Sequence, residues 1–157
     1  MRPFSAIGHL YGDDPVATWA PAGSVPARQW QSYLPVADHP EYPSATACLC
    51  VAHGTALEAA LGSPDLGWTV SFEPGSSFVE PGRTPAEALS HTFETWEDFR
   101  TTCGQTRLWS GVHFEASVRN VQEARATIGD AAATYVQTLV EGDAAKGKGG
   151  KRKGRRR

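Results

Sequence analysis

The sequence lacks a hydrophobic run long enough to cross a membrane, although 40% of its 157 residues are apolar. A transmembrane helix needs about 20 consecutive apolar residues, so we predict a chain with no membrane span. A signal peptide is not predicted either, because the segment after Met1-Arg2-Pro3 is too short and too interrupted to form its apolar core. The length suits a single domain, and the sequence leaves the compartment of the protein unknown.

Cysteine is scarce, and its spacing excludes the common zinc-binding patterns. The three cysteines include no Cys-x-x-Cys pair and no Cys/His spacing typical of zinc. Cys48 and Cys50 lie two residues apart on a predicted helix, so they point to different faces and cannot pair with each other. Cys103 could pair with either of them, but the interpretation we favour is buried or half-buried thiols.

Acidic residues are absent from the last fourteen positions, where basic residues concentrate. Residues 1–145 hold seven basic and 17 acidic residues, whereas the last twelve positions hold eight of the 15 basic residues. Such a segment cannot form a core, so we predict a domain over residues 1–143 and a disordered basic tail over 144–157. The tail could bind polyanions, without sequence preference because it has no aromatic residue for base stacking. A tail with no specific partner is the interpretation we favour.

Helical periodicity dominates the rest of the chain. Three long helices are predicted from their periodicity and their start and stop signals, over residues 44–61, 84–102 and 113–140. The first is apolar on nearly all sides, which is typical of a helix buried in a core. Two short runs, 68–72 and 77–79, flank a turn and predict a small β-hairpin.

The proline-rich and glycine-rich residues 3–42 show no sustained periodicity, and they predict an ordered loop with one short helix near residues 27–33. Together these elements indicate a mainly α fold, a helical bundle with one small hairpin. Three such helices would leave wide apolar faces uncovered. We therefore expect either a second copy of the chain or further helices preceding Met1 to cover them.

Four features have the chemistry of an oxyanion site. Arg2 and Arg107 can each offer a guanidinium fork to two oxygens. The predicted helix start at Ser44-Ala45 offers a hydroxyl and free backbone N–H groups, and His113 offers a nitrogen that can bond directly to phosphorus or vanadium. Taken singly, each has an ordinary explanation, since a serine caps a helix, an arginine lies in solvent and a histidine completes a core.

In combination, these segments resemble the signature motifs of the vanadium-dependent haloperoxidases, which share their fold with the type-2 phosphatidic acid phosphatases. Residues 38–46, DHPEYPSAT, resemble the second family segment, HPEYPSGH. Residues 107–114, RLWSGVHF, resemble the third, in which an arginine precedes the axial histidine by six positions. Arg2-Pro3 resembles the end of the first. The resemblance covers about residues 2–140 and implies the C-terminal portion of the haloperoxidase and acid phosphatase bundle.

The resemblance implies a role for each of these residues. Arg2, Ser44 and Arg107 would hold the equatorial oxygens of vanadate, or of phosphate in the same pocket. The backbone N–H of Ala45 would take the place of the family's glycine amide. His113 would be the vanadium ligand, or the phosphorylated nucleophile of a phosphatase. Hydrogen peroxide and halide would be the substrates of an active enzyme.

Three departures from the family pattern affect the pocket. Thr46 stands where the family has its general acid–base histidine, and threonine does not titrate near neutral pH. Ser117 stands where many members have the acid that orients the axial histidine, and the family's first-segment lysine would precede Met1. Losing a general acid–base typically lowers the rate by about 10²–10⁴-fold, so we expect anion binding to survive better than turnover.

Three functions stay open. The first is a haloperoxidase-like enzyme that oxidises halide with peroxide through vanadate bound at His113. The second is a non-catalytic or truncated family member that binds an oxyanion weakly, which Thr46 and Ser117 favour. The third is an acid phosphatase on the same fold, which would also need the missing acid–base histidine.

Overall fold

The computed structural model describes residues 1–142, apart from the side chains of residues 122–125. This part of the chain is mainly α-helical, as predicted, and it has two small antiparallel sheets where one hairpin was predicted. In chain order its elements are α1 (Pro3–Tyr11), β1 (Pro15–Ala17), β2 (Ser24–Pro26), a 3-10 turn (Ala27–Gln29), α2 (Ala45–Leu61), β3 (Asp65–Phe72), β4 (Leu89–Thr95), α3 (Trp96–Trp109), α4 (Glu115–Arg119) and α5 (Gln122–Val140). No helix in the described range is long and apolar enough to cross a membrane. The predicted tail, residues 144–157, lies outside it.

The first forty residues contain more regular structure than predicted. Pro3 occupies the first turn of α1, where its missing N–H loses no helical hydrogen bond, and Gly12 ends the helix with a φ of +55°. Strands β1 and β2 pair with each other, and the short helix predicted near residues 27–33 is present as the 3-10 turn. The prediction of a loop over residues 3–11 is wrong, because this helix is too short to show sustained periodicity.

Helix α2 confirms its predicted bounds, because both end signals act as expected. The Ser44 hydroxyl accepts a hydrogen bond from the N–H of Ala47 at 3.4 Å, and Gly62 follows in the left-handed conformation. Its burial is less complete than predicted, since three leucines are exposed: Leu49, Leu57 and Leu61. Within residues 1–142 the helix is therefore buried on one side and uncovered on the side of these three leucines. What covers this face stays a prediction.

The β-hairpin is present, but its second strand is not the one predicted. β3 pairs with β4, with Thr69 opposite Thr92 and Trp68 opposite Phe93. The two threonine hydroxyl oxygens lie 2.8 Å apart, and the two rings stack with 5.5 Å between centroids. Such cross-strand pairs stabilise a sheet. They explain why residues 89–95 form a strand rather than the predicted helix, and why residues 77–79 remain in the connecting loop.

Helix α3 starts later and ends later than predicted. Its capping box is formed by Thr95 and Asp98, each side chain bonding the other's backbone N–H. Thr84, the predicted first residue of this helix, lies in the loop before β4, where its hydroxyl donates to Glu80 at 2.8 Å. The sequence around Thr84 has the residues of a capping box, but the residues after it pair as a strand.

Two glycines inside helices mark close helix contacts. A Cβ at Gly104 in α3 would lie 2.9 Å from a side-chain carbon of Val118, and one at Gly129 in α5 would lie 2.6 Å from the carbonyl oxygen of Ala52 in α2. Both glycines therefore let helices approach closely, and the helix that the sequence predicts to end at residue 102 continues through Gly104. The helix predicted over 113–140 is divided into α4 and α5.

A disulfide joins α2 to α3 through Cys50 and Cys103, and Cys48 is a free thiol. The favoured interpretation of thiols throughout is wrong, and the pairing is one of the two that the sequence left open. The cross-link spans 53 residues of chain, for which loop entropy gives a stabilisation of about 4 kcal/mol. It holds α3, which carries Arg107, against α2, which begins beside Ser44.

Candidate oxyanion site

His113 is buried in the turn between α3 and α4. Gly111 makes this turn with a φ of +71°, and a Cβ there would lie 2.7 Å from the ring of Trp30. The N–H of Val112 then donates to the carbonyl oxygen of Arg107 at 3.3 Å. The turn therefore brings Arg107, near the end of α3, and His113 to the same place, with only 5% of His113 exposed.

Arg2, at the other end of the sequence, contacts His113. As the residue that caps α1, it is buried, and its Nη1 donates to the carbonyl oxygen of Val112 at 3.0 Å. The same Nη1 lies 3.2 Å from Nε2 of His113. Its Nη2 donates to the carbonyl oxygen of His39 at 2.7 Å. These contacts fix the guanidinium beside the imidazole without neutralising its charge.

Arg107 completes a pair of cations that have no carboxylate partner. Its Nε is buried and has no hydrogen-bond partner among the described residues. Burial lowers the pKa of Arg107, and the positive charge of Arg2 lowers it further. Across residues 1–142, neither arginine forms an ion pair with a described side chain. An anion would satisfy the unpaired donor and relieve the repulsion.

Glu41 is the residue of this site that the sequence did not reveal as functional. Its Oε1 lies 3.0 Å from Nδ1 of His113 and accepts the N–H of Phe114 at 3.0 Å. Its Oε2 accepts the hydroxyl of Ser117 at 2.6 Å. The only available signal was its position in the HPEYPS segment, three residues before Ser44.

These hydrogen bonds and charges shift two pKa values. Burial by itself would raise the pKa of Glu41, but hydrogen bonds from Ser117, Phe114 and His113 outweigh it and lower that pKa. Burial lowers the pKa of His113; the hydrogen bond with Glu41 opposes this, and the charges of Arg2 and Arg107 add to it. Near neutral pH, the expected pair is therefore an ionised carboxylate and an uncharged imidazole.

The start of α2 is joined to this cluster through Ser117. Ser44 is fully buried, and its N–H donates to the carbonyl oxygen of Ser117 at 3.0 Å. Ala45 is exposed and lines a cavity of about 430 Å³ together with His39 and Cys48. Within residues 1–142, neither Ser44 nor Ala45 forms a hydrogen bond with Arg2, Arg107 or His113. Thr46 is half-buried in the first turn of α2.

The donor set suits an anion. The two guanidinium groups repel a metal cation, and the described residues contain no group of three His, Cys, Asp or Glu side chains that could hold one. Of the residues predicted from the sequence, the structure brings Arg2, Arg107 and His113 together. It places Ser117 one hydrogen bond from Glu41, and Ser44 one hydrogen bond from Ser117.

Comparisons with known proteins identify the family of the chain. A family model described as the VCPO second helical-bundle domain matches residues 1–142. The crystal structure of a holo-type bacterial vanadium-dependent chloroperoxidase is 42% identical, with a TM-score of 0.85, over 89% of this chain and 31% of that one. An apo-type structure is also 42% identical, with a TM-score of 0.86, over 90% and 32%.

The chain thus spans about a third of the length of these two structures. No curated protein matches it. The match over the whole described range, together with 42% identity to solved relatives, shows the family. The chain belongs to the vanadium haloperoxidase family, in the part formed by the second helical bundle.

Proposed function

We propose that the chain binds vanadate or phosphate between Arg2, Arg107 and His113, as the oxyanion pocket of a vanadium haloperoxidase. The observation that carries this proposal is a pair of arginines without carboxylate partners beside a buried histidine. Arg2 is buried, and Arg107 is half-buried with a buried and unpaired Nε among the described residues. Burying a cation without a partner is costly, and a bound oxyanion with several negatively charged oxygens would remove that cost.

The residues present fit such an anion. The unpaired Nε of Arg107 is a donor without an acceptor among the described residues, and Nε2 of His113 faces the guanidinium of Arg2. The hydroxyl of Ser44 and the N–H of Ala45 would add donors from the start of α2, where the helix dipole favours negative charge. When bound, vanadate would supply a Lewis-acidic centre for the oxidation of halide by hydrogen peroxide.

The chain's own residues divide the work between binding and positioning. The two arginines would hold oxygens of the anion, and His113 would bind it through Nε2. The pocket lacks a proton donor at the start of α2. Thr46 lies there, in the first turn of the helix, and its hydroxyl does not titrate near neutral pH. We therefore propose that peroxidase turnover is about 10²–10⁴-fold below that of a pocket with a histidine at this place.

A non-catalytic oxyanion-binding protein is the second candidate, and Thr46 favours it. It shares the pocket with the first and differs only in the proton chemistry. Titration calorimetry with orthovanadate and with phosphate tests the shared part. His113→Ala should abolish vanadate binding, whereas His53→Ala, an exposed histidine on α2, should leave it unchanged.

Activity then separates the candidates. Peroxide-dependent halogenation of an organic indicator by the vanadate-loaded protein supports the enzyme, and its absence with intact binding supports the non-catalytic protein. Hydrolysis of an aryl phosphate that vanadate inhibits would indicate a phosphatase instead. Equal vanadate affinity in the unaltered chain and in His113→Ala would overturn the pocket itself.

A further inference from the structure

We propose that Glu41 is the positioning residue for His113, holding the proton on Nδ1 so that Nε2 is free to bind the oxyanion. The proposal rests on the proposed function, because it assigns which nitrogen of His113 faces the ligand. It names a residue that no part of the family pattern quoted above assigns to this task.

The hydrogen-bond partners on the two sides of the ring agree on the position of the proton. On one side, Nδ1 lies 3.0 Å from Oε1 of Glu41, and that oxygen already accepts the backbone N–H of Phe114. An ionised carboxylate can only accept, so Nδ1 must carry the hydrogen and Nε2 of the uncharged ring must be unprotonated. Nη1 of Arg2, which can only donate, lies 3.2 Å from Nε2 and 3.5 Å from Nδ1, and of these two nitrogens only Nε2 has a lone pair free to accept from it.

Glu41 is itself held as an acceptor. Its two oxygens receive the N–H of Phe114 and the hydroxyl of Ser117, the latter at 2.6 Å. Only 9% of its side chain is exposed. A carboxylate fixed by two donors presents a defined lone pair to Nδ1, so the ring of His113 cannot rotate without breaking this contact and the one to Arg2.

The same contacts explain the serine at position 117. The acid that the resemblance places there would orient His113 from α4, whereas here the carboxylate comes from the loop before α2. The Ser117 hydroxyl donates to that carboxylate, so position 117 supports the acid instead of supplying it. An aspartate at 117 beside Glu41 would repel it, but with Glu41 removed it could take over the task.

The test is the tautomer of His113 in the full chain labelled with ¹⁵N-histidine, assigned by the signals lost in His113→Ala. We expect the Nδ1–H tautomer in the unaltered protein and a shift toward Nε2–H in Glu41→Gln and Glu41→Ala. Vanadate affinity should fall by about 10–100-fold in both. Glu115→Gln is the matched control, because that side chain is 73% exposed, and it should change neither readout.

The double variant Glu41→Ala with Ser117→Asp should restore the Nδ1–H tautomer and most of the affinity. An Nε2–H tautomer in the unaltered chain would overturn the proposal without any variant, even if the substitutions at 41 prevent folding. An unchanged tautomer in a folded Glu41→Gln would also overturn it. If the tautomers behave as expected but no chain binds vanadate or phosphate, the proposed function fails while the positioning of His113 by Glu41 stands.

Discussion

Replacing Arg107 with methionine should stabilise the ligand-free chain. The Nε of Arg107 is buried without a hydrogen-bond partner among the described residues, and an unsatisfied buried donor costs about 1–3 kcal/mol. Repulsion from Arg2 adds to this cost and, after burial, is the second cause that lowers the pKa of Arg107. Methionine keeps the length of the side chain and removes the charge. We expect the free energy of unfolding to rise by about 1–2 kcal/mol.

The same substitution should weaken oxyanion binding, because it removes one of two cations. At an effective dielectric constant of about 20, a unit charge 4 Å away contributes about 4 kcal/mol. Desolvation of the anion offsets part of this, so we expect the affinity for vanadate and phosphate to fall at least tenfold. Stability and binding should therefore change in opposite directions, which few substitutions at a purely structural arginine would do.

Urea unfolding with and without phosphate measures both effects. At 100 times its dissociation constant, a ligand stabilises the folded state by about 2.7 kcal/mol. Because each tenfold loss of affinity removes about 1.4 kcal/mol of this at high ligand concentration, phosphate should stabilise the unaltered chain more than Arg107→Met, by about 1.4 kcal/mol or more. Arg119→Met is the matched control, because that side chain is 73% exposed, and it should shift neither curve appreciably. A ligand-free Arg107→Met chain that is less stable than the unaltered one, with unchanged anion affinity, would refute the reasoning.

Three further predictions concern proton donation, pH and packing. Thr46→His should raise peroxide-dependent halogenation at least tenfold; unchanged turnover with vanadate still bound would show that the missing proton donor is not what limits the rate. Since the folded state lowers the pKa of His113 from its ordinary 6.5, the unfolded chain takes up this proton first, and stability should decline as the pH falls below about 6.5. His113→Gln should remove that part of the decline in pH-dependent urea unfolding. Gly129→Ala should lower the free energy of unfolding by about 1–3 kcal/mol, because the added carbon meets α2; Ala131→Ser, exposed on the same helix, is the control, and equal effects would contradict the contact.

The sequence predicted elements whose signals are local. Helix α2 has a serine cap at one end and Gly62 at the other, both within a residue of its bounds, so its limits could be read directly. Strand β4 has no local signal of comparable strength. Its partner β3 lies about twenty residues earlier in the sequence. In addition, Thr84-Pro85-Ala86-Glu87 has the sequence of a helix N-terminus, although no helix begins there. The decisive contacts are pairs across the hairpin, which no window of the sequence contains.

The site depends on contacts even more distant in the sequence. Arg2 and His113 are 111 residues apart, and Glu41 and His113 are 72 apart. Nothing in the composition or periodicity indicates that such residues meet, so only the family resemblance could suggest the first pair. The second pair was missed because the family pattern directed attention to position 117, where this chain has a serine.

The departures at residues 117 and 46 therefore have different consequences. The loss of an acid at 117 leaves His113 oriented, because Glu41 contacts its Nδ1 and Ser117 holds Glu41 in place. The loss of a histidine at 46 has no such replacement: His53, on the same helix, is exposed and lies about 10 Å farther along by helix rise. Thr46 takes part in none of the hydrogen bonds described above that hold Arg2 and the imidazole of His113. A chain that keeps this cationic cluster without a titratable side chain at 46 should bind the anion and turn over slowly, so affinity and rate should respond to different substitutions.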